Sequence, residues 1–141
     1  MDAMNRHSDA TVDATVRAYY ATVSDLSSTA DDLRRLLAED LTVIEYPNAI
    51  SPRGAVRDLE ATLSGFEAGK ALLSEQDFEV HEVIASGGRV AVRATWRGVV
   101  KTDAGPLRAG QRLVAHVASL LTVRDGRIAH HETFDCYEPI A

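Results

Sequence analysis

Two periods divide this chain. Before about Leu73 most apolar residues recur every three or four positions, and after it they recur every second position. Val12, Val16, Tyr19, Tyr20 and Val23 follow at helical spacing behind Ser8 and Asp9, either of which can cap a first helix. Ser27-Ser28-Thr29 breaks that helix. Thr29 with Asp32 forms a capping-box pattern and starts a shorter helix through Leu33, Leu36 and Leu37. Leu41-Thr42-Val43-Ile44-Glu45-Tyr46 reads as a strand. Pro47 and Pro52 then bracket a loop that cannot be central strand. From Gly54 a third helix is expected, with Val56, Leu59, Leu63 and Phe66 on one face and Gly65 and Gly69 weakening its end.

In the second half, Phe78, Val80, Glu82 and Ile84 alternate with Asp77, Glu79, His81 and Val83. Ser86-Gly87-Gly88-Arg89 is a hairpin turn, and Val90, Val92, Ala94 and Trp96 alternate with Ala91, Arg93, Thr95 and Arg97. A polar loop near Lys101–Pro106 leads to the run Leu113–Val123. Asp125-Gly126 then turns the chain into a last strand ending Phe134-Asp135-Cys136-Tyr137, the strongest hairpin signal in the sequence. Helix, helix, strand, helix and four antiparallel strands make an α+β domain, with helices on one face of a curved sheet. The fourth strand is apolar on both faces, with Val117, Leu121 and Val123 on one and Ala118 and Leu120 on the other. Helices cover one side only, so the outer side is expected to meet a second copy of the chain. Arg93, Thr95 and Arg97 would make that contact partly polar.

Composition narrows the function classes. At 141 residues the chain is expected to be one domain, residues 9–141, behind a flexible tail of residues 1–8. A net charge of −6 and scattered Lys and Arg argue against nucleic acid as a partner. No apolar run approaches the roughly 20 residues that span a bilayer, and the first residues carry no apolar signal core, so a cytoplasmic protein without membrane partners is expected. One cysteine, Cys136, allows no internal disulfide and reads as a small buried hydrophobe.

Several short segments carry a resemblance. They are Val16-Arg17-Ala18-Tyr19, Ala38-Glu39-Asp40-Leu41-Thr42-Val43, Pro52-Arg53-Gly54, and Val123-Arg124-Asp125-Gly126-Arg127-Ile128 followed by Phe134-Asp135. In this order and spacing, from about residue 9 to 139, the chain resembles SnoaL-like members of the nuclear transport factor 2-like superfamily. The resemblance implies a cone of curved, mainly antiparallel (mixed) sheet with three helices on its concave face, closed around a pocket and often paired as a homodimer. That superfamily holds steroid isomerases, polyketide cyclases, epoxide hydrolases, dehydratases and non-catalytic binding modules, so fold does not choose the activity.

Asp135 is the leading candidate. If the resemblance holds for the last strand, its side chain enters the cone, where lost hydration would raise its pKa and suit it to act as a base. The alternative is a structural acid held by a backbone amide or by an arginine such as Arg93. Tyr19 resembles the tyrosine that polarises a carbonyl in ketosteroid isomerases, and core packing is its other reading. Those isomerases place an aspartate before a proline, whereas here Tyr46 precedes Pro47 and the acid is either absent or displaced to Glu45. Their second aspartate falls near Ser119. Tyr46 and Asn48 resemble the pair that holds water in limonene-epoxide hydrolases, with Asp135 at the place of the water-activating acid. The strand-three counterpart, Arg93-Ala94-Thr95, lacks that family's second acid, and Tyr46-Pro47-Asn48 is also an ordinary turn entry.

His116 would pair with Asp135 as an acid–base couple. His130 and His131 are adjacent on a strand, point to opposite faces, and are expected at the surface or an interface. No metal-ligand spacing is present. Trp96 is expected to wall the pocket or to pack under the helices. The picture is a mostly apolar pocket for a small hydrophobic compound, lined by Tyr19, Tyr46, Asn48, Trp96, His116, Ser119 and Asp135, and needing neither cofactor nor metal. An isomerase, cyclase or hydrolase, and a non-catalytic binding or dimerisation module, all fit it. Strand register governs the whole expectation, because a one-residue slip reverses every face. Ile128 and Asp135 have opposite parity and share a face only if a bulge intervenes.

Overall fold

A computed structural model describes residues 8–140. Three helices, α1 (Asp9–Ser24), α2 (Ala30–Arg34) and α3 (Leu59–Leu72), pack on a six-stranded sheet. The strands are β1 (Leu37–Glu45), β2 (Ala55–Arg57), β3 (Leu73–Ser86), β4 (Arg89–Val100), β5 (Arg112–Arg124) and β6 (Arg127–Tyr137). Their order is β2-β1-β6-β5-β4-β3. Only β1 and β6 pair in parallel, so the sheet is mixed. The expected α+β architecture of a curved sheet carrying three helices is therefore present. Residues 1–7 of the expected tail lie outside the described residues.

Local chemistry sets the helix ends. Ser8 Oγ accepts from the Thr11 amide and caps α1, whose Val12, Val16 and Tyr20 are buried at i, i+4 and i+8. The Thr29–Asp32 capping box forms in full. Two sequence expectations fail at element boundaries. The second helix stops at Arg34 rather than reaching Leu37, because the Leu36 carbonyl accepts from the Ile128 amide at 2.8 Å and draws the chain into the sheet. The third helix starts at Leu59, capped by Asp58, rather than at Gly54. Gly54 has φ +64°, outside helical space, and Val56 sits 74% exposed on the short edge strand β2.

Two bulges fix the faces of the sheet. In β3 the register slips between Val80 and Glu82, so Val83 and Ala85 pack inward beside Phe78 and Val80. Glu82 and Ile84 turn outward instead of continuing the inner row. In β6 the register slips so that Thr122 opposes His130 while Val123 opposes Ile128. Ala129 is the extra residue, and the required bulge places Ile128 and Asp135 on one face. The β3–β4 and β5–β6 turns place Gly87, Gly88, Asp125 and Gly126 all at positive φ, as two-residue hairpins need.

The core fills one end of the cone. Val12, Val16, Leu33, Leu41, Leu59, Leu63, Val90, Val92, Leu121 and Ile128 form it near the hairpin turns. Toward the other end of β4, β5 and β6 the inner positions pass to Trp96, Ala115, Val117, Asp135 and Tyr137, and there the packing opens into a cavity.

Candidate functional site

The cavity holds about 530 Å³, within the range of small-molecule sites. Its walls come from α1, α3 and the concave face of the sheet. Phe66, Phe78, Trp96, Val117 and Leu72 make it largely apolar. Gly65 and Gly69 face it from α3, and a Cβ added at Gly69 would meet nothing within 4 Å. These glycines weaken the helix end and leave room above the floor.

The polar floor is concentrated on β6. With Ala129 bulged out, the alternation places His131, Thr133, Asp135 and Tyr137 inward and His130, Glu132, Phe134 and Cys136 outward. Asp135 is largely buried, and loss of water pushes its carboxyl above the usual carboxylate range, with the Glu45 charge acting in the same sense. The Thr133 hydroxyl donates to Asp135 Oδ1 at 2.7 Å and opposes that rise. Among the described residues no hydrogen bond engages Oδ2.

Two phenols flank this acid. Tyr19 lies edge-on to His131, with ring centroids 5.5 Å apart. Tyr137 lies edge-on to Trp96 at 6.2 Å. Burial raises both phenol pKa values well above their usual range, with nearby charge, Asp135 included, adding to the rise. Both stay protonated at neutral pH, and neither hydroxyl has a hydrogen-bond partner among the described residues. They are available donors facing the cavity. Trp96 is fixed by donating from Nε1 to Gln76 Oε1 at 2.8 Å, while Gln76 Nε2 donates to the Val23 carbonyl.

Glu45 supplies a second carboxylate from the end of β1. It accepts from Arg57 Nη1 at 2.9 Å and from Asn48 Nδ2 at 2.8 Å. Arg57 is the one cation on the cavity wall and spends a single N–H on this pair. Gly54 is required here, since a Cβ would collide with the Glu45 carbonyl oxygen.

Four expected residues stand elsewhere. His116 is on the outer face, 59% exposed, with Nε2 2.8 Å from Glu138 Oε2, so the expected pair with Asp135 does not form. The reason is parity: His116 opposes Cys136, an outward residue, whereas Val117 opposes Asp135. Tyr46 also faces outward, donating to Glu132 Oε1 at 2.6 Å and stacking on Phe134 at 4.6 Å. Asn48 spends its amide on the 47–54 loop and on Glu45, accepting from the Ile50 and Ser51 amides. Ser119 is 1% exposed and lies behind the cavity wall, bonded to Thr133 and His131. Arg93 pairs with Glu82 on the outer face and does not hold Asp135. Cys136 is exposed rather than buried.

Sequence reasoning missed Thr133, Tyr137, Glu45 with Arg57, and His131 as inward groups. His131 was expected at the surface but is 6% exposed, and burial lowers its pKa to about 4, so the imidazole is neutral. The signal was available: once Asp135 is set inward, His131, Thr133 and Tyr137 follow at every second position. No three His, Cys, Asp or Glu side chains group to hold a metal ion among the described residues. Among them, too, no helix is long and apolar enough to cross a membrane.

No curated protein matches the chain. Solved structures do. IdmH of Streptomyces antibioticus, a proposed polyketide cyclase, is 25% identical with a TM-score of 0.73, over 88% of this chain and 91% of that one. A proposed SnoaL-like polyketide cyclase from Jannaschia sp. CCS1 is 17% identical with a TM-score of 0.73, over 90% and 86%. An epoxide hydrolase of M. tuberculosis, like the limonene-epoxide hydrolases, is 19% identical with a TM-score of 0.68, over 92% and 84%. Residues 16–131 match the family model of the SnoaL-like domain, and the chain belongs to that family.

Proposed function

We propose that this protein acts on a small hydrophobic carbonyl or ring compound in the cone, without a cofactor, as an isomerase, cyclase or hydrolase with Asp135 as general base. The observation that carries this reading is a half-dry carboxylate with one free oxygen, opening on a cavity of about 530 Å³ beside two protonated, unpartnered phenols. Asp135 Oδ2 takes a proton from a carbon next to a carbonyl, or from a water. Tyr19, with Tyr137 as a second donor, stabilises the oxyanion that forms. Trp96 and Phe78 hold the ring of the substrate. The description of IdmH as a cyclase supports a ring-forming or ring-rearranging reaction. A homodimer through the outer sheet face and a cytoplasmic setting complete the proposal; the exposed, unpaired Cys136 suits a reducing compartment.

The second reading is a non-catalytic binding or dimerisation module. It is favoured by the outward position of His116, which leaves Asp135 without a histidine partner. Deuterium wash-in at the α-carbon of 2-tetralone, followed by NMR in D₂O, separates the two. The expected result is exchange faster than buffer, falling by about 10² or more in Asp135→Asn and by about 10-fold or more in Tyr19→Phe. Bound 2-tetralone that exchanges no faster than in buffer would favour the binding module.

A further inference from the structure

The polar groups of the cavity floor, with Ser119 behind them, form a chain that ends on Asp135. Thr133 Oγ1 donates to Asp135 Oδ1 at 2.7 Å. Ser119 Oγ lies 3.4 Å from Thr133 Oγ1 and donates to it. His131 Nε2 lies 3.2 Å from Ser119 Oγ. A hydroxyl has one proton to give. Thr133 gives its proton to the carboxylate, so its oxygen accepts from Ser119. Ser119 gives its proton to Thr133, so its oxygen accepts from His131. A neutral imidazole donates from one nitrogen only, and the chain places that proton on Nε2.

We propose that His131, Ser119 and Thr133 are positioning residues, a one-way relay of donors that clamps Oδ1 of Asp135 and leaves Oδ2 as the sole basic oxygen facing the substrate. This rests on Asp135 serving as the base. Each link lies at the sheet's inner face, and the two behind Thr133 are shielded from water: Ser119 is 1% and His131 6% exposed. Cross-strand geometry holds them together, since Ser119 and Thr133 are direct partners across β5 and β6 and His131 opposes Leu121 two positions along. Donors directed at the anion stabilise it and hold its proton affinity within working range despite burial. The relay also makes the carboxylate unsymmetrical, which an isolated buried aspartate is not.

The groups facing Asp135 are few. Glu45 approaches from β1 and carries Arg57 of β2 on Oε1 and Asn48 on Oε2. Tyr19 and Tyr20 approach from α1, and Tyr137 lies on its own strand. Val117 opposes it on β5. The Tyr20 hydroxyl sits beside Ser119, buried and without a hydrogen bond of good geometry.

The test needs no substrate. Protein labelled with ¹³C at the aspartate carboxyls is titrated by NMR, with the Asp135 resonance assigned through Asp135→Asn. Thr133→Val is expected to raise the Asp135 midpoint by about one pH unit, a tenfold gain in proton affinity. Thr133→Ser is expected to titrate as the wild type does, and Ser119→Ala to shift the midpoint in the same direction by less. A wild-type midpoint in folded Thr133→Val overturns the clamp. A wild-type midpoint in Ser119→Ala overturns the relay behind it, and this variant decides the matter if Thr133→Val does not fold. Failure of the general-base proposal appears separately, as normal titration shifts with no deuterium exchange.

Discussion

His131 shows how one buried side chain ties stability to pH. In the unfolded chain an imidazole titrates near 6.5, and in the fold burial lowers this to about 4. Between these values the unfolded state binds the extra proton. The stability linked to neutral His131 is therefore complete above about pH 6.5 and is lost as pH falls toward 4, by on the order of 3 kcal/mol in all. Asp135 works in the opposite sense, since its raised pKa favours the folded state on the acid side of its own transition. Urea unfolding at pH 7 and pH 4.5 checks this: the wild type is expected to lose stability at the lower pH. In His131→Gln that loss shrinks, because glutamine keeps a donor near the position of Nε2 without titrating. Equal pH dependence in both proteins would remove His131 as the cause. At this scale the sequence was partly legible. Asp135, Tyr19 and Trp96 stood out by type and place, and all three reach the cavity. His116, Tyr46 and Ser119 were also polar or aromatic within or just past a strand, but which side of a sheet a residue takes is decided by pairing rather than by type.

Elements carry the next constraint, and β6 is where the sequence was silent. The alternation of the strand is regular from His130 to Tyr137, yet the bulge that sets its phase lies at Ala129, between Ile128 and His130 and with no glycine or proline to mark it. Helix starts were more legible where a side chain caps the backbone, as at Ser8 and Thr29, and less where Gly54, directly before β2, mimicked a helix start. Strand β4 offers a direct test of cavity shape. Trp96 folds over Gly98, and a Cβ at Gly98 would stand 2.6 Å from two atoms of the indole ring. Gly98→Ala is expected to swing the indole off Gln76 and to destabilise the fold by about 1–3 kcal/mol through overpacking. Trp96 is the only tryptophan, so its emission reads the change, as a red shift and altered quenching. An unchanged spectrum would mean that the neighbouring backbone absorbs the methyl instead.

For the whole molecule, the open question is what covers the outer sheet. Ile84, Ala91 and Leu120 lie in register across β3, β4 and β5, and Ala118 and Phe134 across β5 and β6. Ile84 is 58%, Leu120 45% and Phe134 38% exposed. Helices already occupy the concave side, so among the described residues only Phe134 has a cover, the stacked Tyr46 ring, and that is partial. Pairing two copies face to face would bury them, with Arg93 and Arg97 able to meet carboxylates at the rim. Light scattering of the wild type is expected to give twice the chain mass, and Leu120→Glu to give one chain mass at micromolar concentration while leaving the Asp135 titration in place. A wild-type monomer would leave that surface for a different partner. The two-sided apolar character of β5 was readable from sequence, whereas the contribution of Ile84 was hidden by the β3 bulge.

The unpaired alanine in β6 has a consequence for descent and for engineering. Both faces of this strand carry an acid and a histidine: His131 and Asp135 inside, His130 and Glu132 outside. Whichever set reaches the chamber is chosen by whether one residue is bulged out of the pairing, not by any change of side chain. Regular pairing of the same residues onward from Ile128 would turn the strand over and present Phe134 and Cys136 to the chamber in place of Asp135, whereas loss of Ala129 itself would straighten the strand and keep Asp135 inside. Relatives aligned by identity alone can therefore share nearly every letter of this segment and still expose different chemistry. The place of the bulge in β6 should be compared before their residues are.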